Sequence, residues 1–564
     1  MDDILSKEVG KKMIFLGNEA IIRGALESGV QFVSTYPGTP ASEVGNIFSQ
    51  IAKETGVYFE FSTNEKVALE AGIGASLSGL KVLVAMKHFG LNVCSDSLLP
   101  LCYTGTKGPF VLLVADDPSC WSSAQSEQNS RAFSYLAHIP TLEPSEPQEC
   151  KDFIKLAFDI SEKFNIPVMV RTTTRVAHQS APVILGEIIK TEKEGKFIKD
   201  PDRFSTMPPR TLRMKKELLE KVKKIKELSE KSETNLIQER ESREKKREIG
   251  IITSGISHLY VMEALKELDI SLPVLRIGFF YPLPEEKIKN FIKKFKKVLI
   301  VEELEPYLEK EVERLAKNSN PGLQIFGKSH IPEIGELKPE NVIVAISEMT
   351  GKKINFDFDK HLKEIQGINF TRRYPQLCSA EIAPPGCPYW LLFSAIKKTA
   401  PENTVFGGDI GCYMIAANPP HFIQDYLFSM GASIGIAHGI KKSAKEKVIA
   451  LIGDSTFFHA GIPALINAVF NKSNPLIIIL NNGTTAMTGH QPHPGMGKTG
   501  MGEETTRIKI EDIIPALGVK NWRVVETKNF QEMSATIKDF LEKEEVSVII
   551  AKGMCALFAK KLRK

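Results

Sequence analysis

The chain has 564 residues, too many for one hydrophobic core at roughly 150 residues per domain, so about three or four domains are expected. A composition of 42% hydrophobic, 25% charged and 8% aromatic residues excludes wholesale disorder and fibrous repeats. Lys and Arg number 73 against 68 Asp and Glu, and a net charge of +5 over so large a surface points to no nucleic-acid partner.

The N-terminus, Met1-Asp2-Asp3-Ile4, lacks the basic region and apolar core of a secretory signal. Apolar runs such as residues 476–480 are strand-sized, well short of the roughly 18 residues that cross a bilayer. The expectation is a cytoplasmic protein with no membrane contact. The eight cysteines include no Cys-x-x-Cys pair, which speaks against zinc ribbons, redox dithiols and ferredoxin-type cluster loops, and most are expected as buried thiols.

In chain order, residues 1–190 alternate short apolar runs (31–35, 81–86, 110–115, 167–171) with amphipathic stretches, the pattern of βα units on a parallel sheet. Residues 191–247 turn to Lys and Glu, with Leu218, Val222 and Ile225 at helical spacing, which predicts a solvated helical linker. Residues 248–350 form a second α/β unit with strands at 248–252, 274–278 and 297–301 and no phosphate loop. Residues 370–564 form a third, with strands at 447–452, 476–480 and 547–551. The expected fold class is α/β, built as three doubly wound domains.

Chemistry concentrates in the third unit. Ala450-Leu451-Ile452-Gly453-Asp454-Ser455 is followed by an apolar helix over 462–469, a strand, and Asn481-Asn482-Gly483-Thr484. An Asp and an Asn at the carboxyl ends of neighbouring parallel strands lie side by side at the ligand-binding edge of the sheet. Both are hard oxygen ligands suited to magnesium, and the helix amino terminus after Asp454 suits a diphosphate. Singly, each element reads equally well as a strand cap or an ordinary turn. Together, with Asn481 following Ser455 by 26 positions, they resemble the magnesium and diphosphate motif of thiamine diphosphate enzymes. Such enzymes also need an acid from another domain against N1′ of the cofactor's pyrimidine. Thr63-Asn64-Glu65 opens a helix rich in small residues, Ala71-Gly72 and Gly74-Ala75-Ser76, and offers Glu65. The plainer reading is a carboxylate favoured by the helix dipole, and Glu70, deeper in the helix, is the weaker alternative.

Five blocks then identify a family resemblance: Tyr36-Pro37-Gly38-Thr39-Pro40, Met86-Lys87-His88-Phe89-Gly90-Leu91-Asn92-Val93, Ser123-Ala124-Gln125-Ser126-Glu127-Gln128-Asn129-Ser130-Arg131, Gly408-Asp409-Ile410-Gly411-Cys412-Tyr413 and Met487-Thr488-Gly489-His490-Gln491. In this order they resemble the large subunit of indolepyruvate ferredoxin oxidoreductase, in the 2-oxoacid:ferredoxin oxidoreductase superfamily. The resemblance implies pyrimidine-binding, transketolase C-terminal-like and diphosphate-binding domains, with the cofactor clamped between the first and third units. It implies oxidative decarboxylation of an arylpyruvate such as indolepyruvate, with electrons passed to ferredoxin and the acyl group to coenzyme A. It also implies a small partner subunit and an oligomer.

By the same resemblance, Asp454 and Asn482 bind magnesium through side chains and Thr484 through its carbonyl, while Glu65 activates the thiamine diphosphate. Gly408, Asp409, Gly411, Cys412, Met430, Gly431, Gly453, Ser455 and Thr488 line the cofactor. Thr39, Lys87, His490 and Gln491 meet the substrate, and His88 joins Glu65 in catalysis. Arg131 reads as a helix-surface cation, and Val301-Glu302-Glu303-Leu304-Glu305-Pro306 carries carboxylates with no chemical role beyond orienting a loop or a subunit contact.

Two departures stand out. The family's usual Cys-Pro-Gly-Cys-Pro-His-Arg block appears as Pro384-Pro385-Gly386-Cys387-Pro388-Tyr389-Trp390, and the ferredoxin domain with its [4Fe-4S] motifs, typical of the family, is not in these 564 residues. Two further functions therefore stay open at the level of sequence: a non-oxidative thiamine diphosphate-dependent decarboxylase or carboligase, and a catalytically silent subunit. A nicotinamide site is disfavoured because no Gly-x-Gly-x-x-Gly follows a first strand.

Overall fold

In the computed structural model, which describes residues 3–190, 194–239, 248–354, 357–371 and 387–563, the apolar runs form buried strands. The chain divides into two compact units, Met1–Phe59 with Glu65–Arg373, and Glu60–Asn64 with Tyr374–Lys564. Pro384 to Gly386 of the departing block, and Cys378, lie outside the described residues.

The first unit holds a seven-stranded sheet in the order Phe279–Tyr281, Thr141–Leu142, Val168–Thr173, Phe110–Asp116, Val82–Lys87, Phe32–Thr35 and Tyr58–Phe61. Pairing is parallel from Thr141–Leu142 through to Phe32–Thr35, and Phe279–Tyr281 adds an antiparallel edge. That edge strand comes from the segment expected to be a separate middle domain, so the middle segment shares the first sheet. A second, five-stranded sheet runs Gln324–Phe326, Lys297–Val301, Ile249–Ser254, Val274–Ile277 and Ile237–Gln238.

The Lys/Glu-rich stretch is helical over Arg210–Lys231, but it is not fully solvated. Met214, Leu218 and Ile225 are buried along one face, because a stripe of apolar residues at helical spacing docks while the charged remainder faces water.

Arg131 is the larger correction. It is 1% exposed, and its guanidinium donates to Glu143 at 2.7 and 2.6 Å, to Glu302 at 2.6 Å and to Ser254 at 2.6 Å. Arg171 joins through Asp116 at 2.7 Å and Glu143 at 3.3 Å. Burial raises the Glu143 carboxyl, but Arg131 and Arg171 outweigh it and hold Glu143 below the usual carboxylate range. Burial pushes Glu303, which accepts the Leu337 N–H, up to about 7. The carboxylates of the middle segment thus clamp the two sheets of this unit. Arg131→Ala should destabilise the chain by about 3–5 kcal/mol, since it strands two buried carboxylates, and chemical denaturation checks this.

In the second unit all strand pairs are parallel, in the order Val405–Gly407, Val448–Gly453, Leu476–Asn481, Ser547–Lys552 and Asn521–Glu526. Alternate residues serve two layers. Ile449, Leu451, Ile478 and Leu480 pack with Leu392, Phe393, Met533 and Ile537 on one face. Val448, Ala450, Ile452, Ile477 and Ile479 pack with Ile434, Leu465 and Ile514 on the other. A strand covered on both faces reads as an unbroken apolar run, which is why these segments do not alternate. Among the described residues no helix is long and apolar enough to cross a membrane. Cys94, Cys102 and Cys150 are buried as expected, whereas Cys120, Cys387, Cys412 and Cys555 are partly exposed.

Candidate functional site

In the second unit, Gly453 pairs in register with Leu480, so the residues after these two strands are neighbours at one sheet edge. Asp454 begins a short helix, Asp454–Thr456, that runs on through a π turn into Ile462–Phe470. Asp454 is 2% exposed; its Oδ1 accepts the Ser455 N–H and its Oδ2 the Gly483 N–H, both at 2.8 Å. Gly483 adopts φ of 74°, a left-handed turn that suits glycine. Asn482 Oδ1 accepts the Thr484 N–H at 3.0 Å, its Nδ2 donates to the Tyr389 hydroxyl at 2.6 Å, and Thr485 Oγ1 donates to Ser455 Oγ at 3.0 Å. Asp454, Ser455, Asn482 and Thr484 are therefore brought together.

His493, which the sequence reading missed, places Nε2 3.3 Å from Asp454 Oδ2. Its Nδ1 accepts the Gly495 N–H, which leaves the proton on Nε2, yet Nε2 makes no hydrogen bond. Thr484 Oγ1 is likewise buried without a partner. An enclosed carboxylate with no Lys or Arg on it among the described residues, beside the unpartnered Thr484 Oγ1 and the Asn482 amide oxygen, is a set of hard oxygen donors that fits a divalent cation, and the His493 N–H fits an anionic cofactor.

The remaining expected cofactor residues fall around this group in different ways. The Asp409 carboxylate accepts the N–H groups of Gly431 (2.8 Å), Ser433 (3.0 Å) and Ile410 (2.8 Å), tying its loop to the start of helix Ala432–Ser443. Burial pushes it up to about 6 against those donors. A Cβ on Gly411 or Gly453 would strike the Tyr413 ring, at 2.4 and 2.8 Å, and one on Gly408 would strike Gln424. Gly431, at the amino end of the same helix, abuts Ala460 in the same manner, while Met430 and Cys412 are partly exposed. Thr488 and Gln491 bond each other, at 2.7 and 2.6 Å, and His490 stacks on Phe558 at 5.5 Å. Those three brace the loop and the last helix.

In the first unit, the loops after Phe32–Thr35, Val82–Lys87 and Phe110–Asp116 meet at the carboxyl edge of the sheet. Lys87 Nζ donates to the Ser122 carbonyl at 3.2 Å and to Ser123 Oγ at 2.8 Å, and Ser123 donates onward to Asp117 Oδ2 at 2.7 Å. Ser122 Oγ is shared between the Thr39 carbonyl and Asp117, so Thr39 and Lys87 belong to one cluster. Gly38 makes room for it, since a Cβ there would fall 2.9 Å from the Lys87 stem. Burial lowers Lys87 to about 8, against the charges of Asp117 and Glu65. Asp117 and Ser122 were missed; the available signal was a second acid immediately after a parallel strand.

Glu336 secures this loop, accepting from Trp121 Nε1 at 3.2 Å and from Arg175 at 2.8 and 3.1 Å. Glu65 is 5% exposed at the start of helix Glu65–Leu77, and a Cβ on Gly90 would lie 2.5 Å from its Cγ. Glu70 is exposed and paired with Lys66 at 3.2 Å, an ordinary surface contact. His88, expected in catalysis, is 0% exposed with its ring 4.1 Å from that of Phe89. It starts helix His88–Thr104, and neither of its ring nitrogens has a hydrogen-bond partner.

The sequence matches two family models: "Pyruvate flavodoxin/ferredoxin oxidoreductase, thiamine diP-bdg" over residues 23–250, and "Thiamine pyrophosphate enzyme, C-terminal TPP binding domain" over 409–551. It is 43% identical to the indolepyruvate oxidoreductase subunit IorA of Methanothermobacter thermautotrophicus, over 99% of this chain and 89% of that one. With the subunit IorA of Pyrococcus horikoshii it shares 42% identity, over 99% and 88%. The chain belongs to the IorA family. A 2-oxoglutarate:ferredoxin oxidoreductase from Magnetococcus marinus is similar in structure at TM-score 0.49 and 17% identity, over 60% of this chain and 65% of that one. For a member of the IorA family, a thiamine diphosphate cofactor agrees with the oxygen donors around Asp454. Among the described residues no group of three His, Cys, Asp or Glu side chains is arranged to hold a metal ion.

Proposed function

We propose that this IorA-family chain is the thiamine diphosphate-binding subunit of an oxidoreductase that oxidatively decarboxylates an arylpyruvate of the indolepyruvate type. Ferredoxin takes the electrons, coenzyme A takes the acyl group, and a small partner subunit completes a cytoplasmic oligomer. The observation that carries this reading is the Asp454, Asn482 and Thr484 arrangement, with its buried carboxylate and unpartnered polar atoms.

Asp454 and Asn482, by side chain, and Thr484, by carbonyl, hold magnesium, while Gly453 and Ser455 admit the diphosphate close to the backbone. The bound cofactor supplies a nucleophilic carbon and an electron sink for decarboxylation. Gly408, Gly411, Cys412, Met430, Gly431 and Thr488 shape its wall, with Asp409 locking the loop. Glu65 holds a proton at N1′ of the pyrimidine. Thr39 and Lys87 receive the substrate carboxylate, and His490 and Gln491 are further substrate contacts. The non-oxidative and silent alternatives are not favoured by the family.

Lys87 gives a pH test. Protonated below about 8, its ammonium can pair with a carboxylate, and above that it is neutral. The KM for the 2-oxoacid should rise as pH increases through about 8, and Lys87→Met should raise KM roughly 10- to 100-fold at neutral pH and flatten the profile. Steady-state kinetics across pH reads both effects.

A further inference from the structure

Tyr389, which departs from the His that the family resemblance implies, places its hydroxyl on a proposed metal ligand. It opens helix Pro388–Thr399, is 4% exposed, and accepts the Asn482 Nδ2 hydrogen bond at 2.6 Å. Its ring is held at 6.0 Å from Phe393 and edge-on to Tyr413 at 6.4 Å, and Tyr413 in turn covers Gly453, the residue before Asp454. One aromatic pair therefore underlies both strand ends. Asn482 is fixed from two sides, with its oxygen on the Thr484 N–H and its nitrogen on Tyr389. A magnesium ion accepts the amide oxygen and not the NH2 group, so whatever fixes the amide also fixes which atom the metal meets.

We propose that Tyr389 is a positioning residue for magnesium, its hydroxyl anchoring the Asn482 amide so that Oδ1 stays on the Thr484 side of the turn. This rests on the metal reading of Asp454, Asn482 and Thr484. Without the hydroxyl, a buried NH2 loses its acceptor and the side chain is free to turn. Losing such an outer partner typically costs 10- to 100-fold in metal affinity.

The test is calorimetric titration of the full chain with thiamine diphosphate over a series of magnesium concentrations. Tyr389→Phe should need roughly 10- to 100-fold more magnesium for half-maximal binding, with unchanged circular dichroism. Tyr389→His, which keeps a buried acceptor, should bind within about threefold of wild type. In an Asn482→Ala background, Tyr389→Phe should cause no further loss. If wild type shows no magnesium-dependent binding, the metal reading falls and this inference with it. If wild type binds and Tyr389→Phe matches it, or the Phe and His variants are equally weak, or Tyr389→Phe still weakens binding without Asn482, the inference alone is overturned.

Discussion

Asp454→Ala should abolish magnesium-dependent thiamine diphosphate binding, with an affinity loss exceeding about 100-fold. Loss of an outer-shell partner already costs 10- to 100-fold, and here a direct ligand is removed. The substitution also strips the acceptor from the Gly483 and Ser455 N–H groups, so part of the effect would be local unfolding of the turn. Asp454→Asn separates the two causes, because an amide oxygen can still accept a backbone hydrogen bond while the charge is gone. Both variants should fail in calorimetry, but Asp454→Asn, which keeps one of the two acceptors, should lower the melting temperature less than Asp454→Ala.

Glu65→Gln should leave cofactor affinity within a few-fold of wild type and lower kcat by roughly 10²- to 10⁴-fold, the range associated with removing a positioned acid or base. The two side chains are nearly isosteric, so the contact with Gly90, where even a Cβ would be 2.5 Å from Glu65 Cγ, survives the change. Cofactor titration and steady-state turnover on the same preparation separate binding from proton handling. Equal loss of both would show that Glu65 is a packing residue.

Backbone adjacency explains what the sequence made legible. Val448–Gly453 and Leu476–Asn481 announced themselves as uninterrupted apolar runs, and neighbouring parallel strands must put the residues that follow them, Asp454 and Asn482, at one edge. Contacts through space were not legible. Tyr389 and Asn482 are 93 positions apart, Arg131 and Glu302 are 171 apart, and Trp121 and Glu336 are 215 apart. Arg131 looked like a surface cation because it stands in a polar block, and only the fold places three carboxylates of distant segments around Arg131 and Arg171. The Arg210–Lys231 helix was misjudged for a related reason, since abundant Lys and Glu outweighed a narrow buried stripe in the composition.

The measurement that bears most directly on the proposed function is reduction of a viologen dye by the chain together with its partner subunit, supplied with thiamine diphosphate, magnesium, indolepyruvate and coenzyme A. The expected result is dye reduction that depends on all four additions and keeps pace with acyl-coenzyme A formation. Release of the aldehyde without dye reduction, or turnover indifferent to thiamine diphosphate, would contradict it.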